Sequence, residues 1–104
     1  MAKSRREQLE EMLAGQPHDP ELLYMVAMEH ASAGDDEGAV RSFRELFEVA
    51  PDYAPAYHMA GRALHRLGRM AEARDVLRRG IPIAEKIGNA HAAGEMQELL
   101  DNLE

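Results

Sequence analysis

Leu23-Tyr24-Met25-Val26-Ala27-Met28-Glu29-His30 and, 34 positions further on, Tyr57-His58-Met59-Ala60-Gly61-Arg62-Ala63-Leu64 decide the reading of the fold. Core-type positions recur at i, i+3, i+4 and i+7. They hold Leu23, Val26, Ala27 and His30 in the first stretch and Tyr57, Ala60, Gly61 and Leu64 in the second. That spacing is one face of an α-helix. The interval of 34 holds outside the two stretches as well. Pro17 pairs with Pro51, Met25 with Met59, Gly34 with Gly68 and Ala39 with Ala73, and Leu9, Phe43 and Leu77 form a series of three.

Each unit reads as two helices. Asp19-Pro20-Glu21 opens the first: a side-chain acceptor, a proline at the first helical position and an acid at the positive end of the dipole. Gly34 ends it, and Asp35 or Asp36 caps a second helix with core positions Ala39, Phe43, Leu46 and Phe47. Pro51 stops that helix, since proline cannot continue the ladder. The second unit repeats the scheme through Gly68, Ala73, Leu77, Gly80 and Ile81. Its closing proline is missing, because Glu85 stands there. Pro82 comes earlier and predicts a kink in the last of these helices.

This pattern resembles the tetratricopeptide repeat over residues 20–53 and 54–87, with Gly34-Asp35 and Gly68-Arg69 as the turns. The family's tryptophan is replaced by Leu23 and Tyr57, and its usual tyrosine by His30. The resemblance implies an all-α fold: antiparallel helix-turn-helix repeats in a short right-handed α-solenoid of about six helices. It implies a protein-interaction module, an adaptor taking a peptide or protein segment in its concave groove. Residues 4–16 then form a half-repeat helix opened by the capping box Ser4-Arg5-Arg6-Glu7. Residues 90–102 form a closing helix with a stripe of Ala92, Met96, Leu99 and Leu103. The single domain, 1–104, begins halfway through a repeat. That would leave Leu9, Met12 and Leu13 covered on one side only, so the alternative function is assembly by self-association or by docking into a larger complex.

Composition agrees with helices. Ala (17), Glu (13), Leu (11) and Arg (10) dominate, against four Val, three Ile and no Thr. There is no cysteine, which removes disulfides, thiolate metal sites and thiol nucleophiles. Net charge is −7. Residues 1–52 carry five basic and twelve acidic side chains, and residues 53–104 carry seven of each. An acidic chain without a basic tail argues against nucleic acid as partner. No apolar run approaches the ~18 residues of a membrane span, and no apolar stretch follows the start. These features predict a soluble, cytoplasmic protein with no membrane partner.

No chemistry of catalysis is legible. Ser4, Ser32 and Ser42 lie outside any nucleophile-elbow pattern, and there is no glycine-rich phosphate loop, since Gly34 and Gly68 are turn glycines. Glu37–Arg41 and Arg44–Glu48 read as i, i+4 surface pairs. His58 and His65 are two helical turns apart, about 10 Å, and His30 reads as a core histidine. Neither a metal nor a cofactor is expected, and the chain is read as no enzyme. The resemblance implies that the first helix of each unit lines the groove. Tyr24, Met25 and Met28 then form an apolar wall, and His58, Met59, Arg62, His65 and Arg66 a basic one. Arg62 and Arg66, one turn apart, are placed to reach one carboxylate. The expected partner carries acidic and apolar residues.

Overall fold

The computed structural model describes residues 2–104, so Met1, the first residue of the expected domain, lies outside them. Among the described residues there are six α-helices and no strand. They are α1 (Arg5–Gly15), α2 (Pro20–Ser32), α3 (Asp36–Val49), α4 (Ala54–Arg66), α5 (Met70–Lys86) and α6 (Ala90–Leu103). Each packs on its neighbours in sequence, and α4 also meets α6. The stack measures 46 × 28 × 19 Å, the elongated outline of units that touch only the next in line.

The stops act by hydrogen bonding. Gly34, Gly68 and Gly88 have φ of 80°, 77° and 81°, the left-handed region in which a Cβ is strained. Each lets the next residue turn back: Asp35 N–H donates to His30 O at 2.8 Å, Arg69 N–H to Leu64 O at 2.9 Å, and Asn89 N–H to Ala84 O at 2.8 Å. Carbonyls left open by the helix end are thereby satisfied. At the starts, Asp19 accepts from the N–H groups of Glu21 and Leu22 (3.0 and 3.2 Å), and Ser4 from that of Glu7 (3.1 Å). Asp35, rather than Asp36, caps α3 by accepting from Gly38 N–H at 3.0 Å. The helix α5 stays continuous through exposed Pro82 and runs on to Lys86.

One core runs from α2 to α6 around Leu23, Phe43, Leu46, Tyr57, Leu64, Leu77 and Met96. Small residues set the spacing between helices. Ala27, Ala39 and Ala73 are fully buried, and a Cβ on Gly61 would stand 2.7 Å from Leu77 Cδ2. Phe47 stacks on Tyr57 at 4.2 Å between centroids, and the tyrosine hydroxyl donates to Pro51 O at 2.7 Å. A small second cluster of Leu9, Leu22 and Val26, with Leu13 and Met25 beside it, fastens α1 to α2.

Two expectations about the ends change. Met12 does not join Leu9 and Leu13 but is 53% exposed. The outer side of α1 presents Glu7, Glu10, Glu11 and Ala14. The closing helix buries Ala92, Ala93, Met96 and Leu100, while Leu99 and Leu103 are only partly covered, so its stripe is wider than the sequence implied.

Candidate functional site

The apolar face of α2 and the facing side of α4 leave an open cleft of about 360 Å³ between them. Met28, Ala31 and Ser32 line it from α2, Met59, Arg62 and Arg66 from α4, and buried Phe43 of α3 forms its floor. The methionines are half-buried, and their flexible thioethers can follow the shape of an apolar side chain. The structure therefore gathers Met28, Met59, Arg62 and Arg66 of the residues singled out in the sequence.

The others stand elsewhere. Met25 is placed away from the cleft: it turns toward α1 and packs on the Leu9, Leu22 and Val26 cluster. The apolar residues of α2 wrap around the helix, and Met25 lies on the side that meets α1. Tyr24 is half-buried, with its ring 5.3 Å from that of Tyr53 and 6.1 Å from that of Phe43. Burial, then the neighbouring Tyr53, pushes its phenol above the ordinary 10.0. It supports the floor from the side. His65 is exposed at the end of α4, outside the lining of the cleft.

The basic wall is weaker than the sequence implied. Arg66 is engaged as a fork on Asp36, with Nε 3.1 Å from both carboxylate oxygens and Nη2 2.9 Å from Oδ1. Arg69 reaches Glu37 at 2.6 Å, and Arg44 lies 3.8 Å from Glu72. The expected pairs Glu37–Arg41 and Arg44–Glu48 do not form; Glu37 and Arg44 instead bond from one helix pair to the next. Among the described residues no carboxylate pairs with Arg62, so it is the cleft's unengaged cation. His30 fills its tyrosine-like position at the edge of the core, its Nδ1 3.0 Å from Asp35 Oδ2.

On the other side of α4 lies a second cleft of about 240 Å³. His58 and Arg62 line it from α4, and Glu95, Glu98, Leu99 and Asn102 from α6. Burial lowers the His58 pKa below the ordinary 6.5; Arg62 and His91 lower it further, and Glu95 opposes them. The four α6 residues were missed in the sequence because that helix was read as a closing element. Their signal was Glu95 and Glu98, three residues apart and so on one face. A larger cleft of about 570 Å³ between α3 and α5 mixes Arg44, Arg78 and Arg79 with Glu72 and Asp75. Arg79 lies there over the Phe47 and Tyr57 rings, 5.5 and 5.7 Å from their centroids. No group of three His, Asp or Glu side chains among the described residues is placed to hold a metal ion. No described helix is long and apolar enough to cross a membrane.

Repeated helix pairs, three glycine turns of one geometry and a groove between the first helices of the pairs define a helical-repeat protein of the interaction type. The chain belongs to the tetratricopeptide-repeat family, whose model matches residues 30–94. A tetratricopeptide repeat domain protein from Salinibacter ruber, known from a solution structure, is 33% identical with a TM-score of 0.79, over 85% of this chain and 89% of that one. A protein from Bordetella parapertussis superposes with a TM-score of 0.85 at 25% identity, over 98% of this chain and 89% of that one. The Sgt2 tetratricopeptide domain from Aspergillus fumigatus shares the fold, with a TM-score of 0.80 at 22% identity over 94% and 62% of the two chains. No curated protein matches. The family's fold is in general a non-enzymatic one that binds proteins or peptides.

Proposed function

We propose that this chain is an adaptor that holds a peptide or protein segment in the cleft between α2 and α4. One observation carries the reading. Arg62 stands without a carboxylate partner beside a half-buried apolar patch of Met28 and Met59 over Phe43. An arginine that the chain's many acids leave unpaired, next to thioethers that exclude water, fits a segment with one apolar and one acidic side chain. The half-repeat, two full repeats and closing helix serve as the frame that fixes α2 against α4. Assembly of this chain with itself through α1 is the weaker reading, since Glu7, Glu10 and Glu11 would face their own copies there. We place the activity in the cytoplasm.

The test is a pull-down from native lysate, identification of the bound chains, and titration of the recovered segment. Arg62→Glu should weaken binding and reverse its salt dependence, because a screened attraction becomes a repulsion. Met28→Ala should weaken binding with the salt dependence unchanged. Binding unaltered in both variants, with melting temperatures near that of the parent chain, would place the interface elsewhere.

A further inference from the structure

Arg62 belongs to two clefts at once. Toward α2 it borders the apolar cleft of Met28 and Met59; toward α6 it borders the cleft of His58, Glu95, Glu98, Leu99 and Asn102. The two hollows lie side by side across the ridge of α4, with Arg62 on the crest. In the second hollow the charges do not cancel. Arg62 pairs with neither glutamate. Glu98 has no cationic partner among the described residues, and Glu95 touches only the largely exposed His91, at 2.9 Å. His58, which lines the same hollow, forms no ion pair with either glutamate. A cation and two anions that share a cleft without joining are matched by a ligand of the opposite sequence of charges.

We propose that the partner segment carries three side chains in a fixed order: an apolar one over Met28 and Met59, a carboxylate on Arg62, and a basic one between Glu95 and Glu98. The inference rests on the groove reading above and extends it across α4. Neighbouring packed helices are about 8–10 Å apart. Side chains on one side of an extended segment fall on every second residue, about 7 Å apart, so the apolar, acidic and basic side chains are placed in that order on alternate residues. Leu99, half-buried beside the glutamates, receives the methylene stem of the basic residue. The same glutamates exclude uniformly acidic segments, which Arg62 alone would admit.

The experiment is a selection of displayed random eight-residue peptides against the immobilised chain, followed by fluorescence titration of synthetic peptides that carry the enriched pattern. The expected consensus is apolar, acidic and basic residues in that order on alternate positions. Changing the basic residue to Ala should weaken binding roughly threefold to tenfold, the range of one or two exposed ion pairs. In the Glu95→Arg/Glu98→Arg variant, whose changes are on exposed positions, the preference should invert from Lys to Glu at that place. Enriched peptides with apolar and acidic residues only, bound equally well by the double variant, would overturn the third contact and leave the groove reading standing. Peptides indifferent to Arg62→Glu and Met28→Ala, or no enrichment at all, would overturn both.

Discussion

Gly80 and Tyr57 meet with no room for a methyl group: a Cβ at position 80 would stand 2.5 Å from the Cβ of Tyr57 and 2.6 Å from Met96 Sδ. Three helices converge there, and only the methionine can give way. Gly80→Ala should therefore cost about 1–3 kcal/mol, although glycine to alanine inside a helix ordinarily gains about 0.5–1 kcal/mol. Gly61→Ala is the milder control, because a Cβ there meets a single side chain, Leu77, at Cδ2 (2.7 Å) and Cγ (2.9 Å), whereas one at Gly80 meets two. Urea midpoints should rank the parent chain above Gly61→Ala and Gly61→Ala above Gly80→Ala; the reverse order for the two variants would contradict this packing.

Pro82 lies inside α5 on an exposed position. It offers no N–H to the carbonyl of Arg78 one turn earlier, and its ring crowds that turn. Pro82→Ala restores the donor and should raise stability by about 1–3 kcal/mol. Thermal unfolding of the two chains decides it, and an unchanged melting temperature would mean that α5 already relieves the strain by bending.

The repeat, the helix breaks and most core positions could be read from the sequence because they rest on local rules. A glycine at positive φ, an aspartate accepting from the first turn and a 3.6-residue period each need only neighbours along the chain. The site was legible in part for the same reason. The period of 34 pairs Met25 with Met59, yet only Met59 lines the cleft, because α2 turns Met25 toward α1. The fork between Arg66 and Asp36 spans 30 residues, and helical spacing gives no sign of such a pair. Arg66 therefore read as an open cation. The clash that a side chain at Gly38 would make, 2.3 Å from Asp35 Oδ2 and 2.8 Å from His30 Nδ1, was hidden too, since it depends on how His30 folds over the start of α3.

That start responds to pH. The hydrogen bond from Gly38 N–H chiefly, then the charge of and hydrogen bond from His30, hold the Asp35 carboxyl below its ordinary 3.8 against the cost of its desolvation. A lowered folded value means that the unfolded chain takes the proton first. The stabilisation is present in full above the unfolded pKa and is lost as pH falls through the folded one. In melting experiments between about pH 6 and pH 2.5, the gap between the parent chain and Asp35→Ala should be constant at the upper end and narrow at the lower. A gap independent of pH would show that the cap works without its charge.

Arg66 and Asp36 test whether charge joins the two repeats. The fork is bidentate, the aspartate side chain is only 14% exposed, and the arginine is 45% exposed. The carboxylate is thus the better shielded half, which favours a coupling at the upper end of the range for exposed pairs, about 1 kcal/mol. Arg66→Ala and Asp36→Ala should each destabilise, and the double variant should lose less than their sum by that amount. Arg66→Lys should recover under half of it, because an ammonium cannot occupy both carboxylate oxygens in the plane of the guanidinium. Removing the fork also releases the end of α4 from the start of α3, and with it one wall of the cleft. Groove binding should then weaken in Asp36→Ala, although that side chain is not among the cleft's lining residues. Additive effects in the cycle, together with unaltered binding in Asp36→Ala, would leave Arg66 as a surface cation and return it to the groove as a second site for the partner's carboxylate.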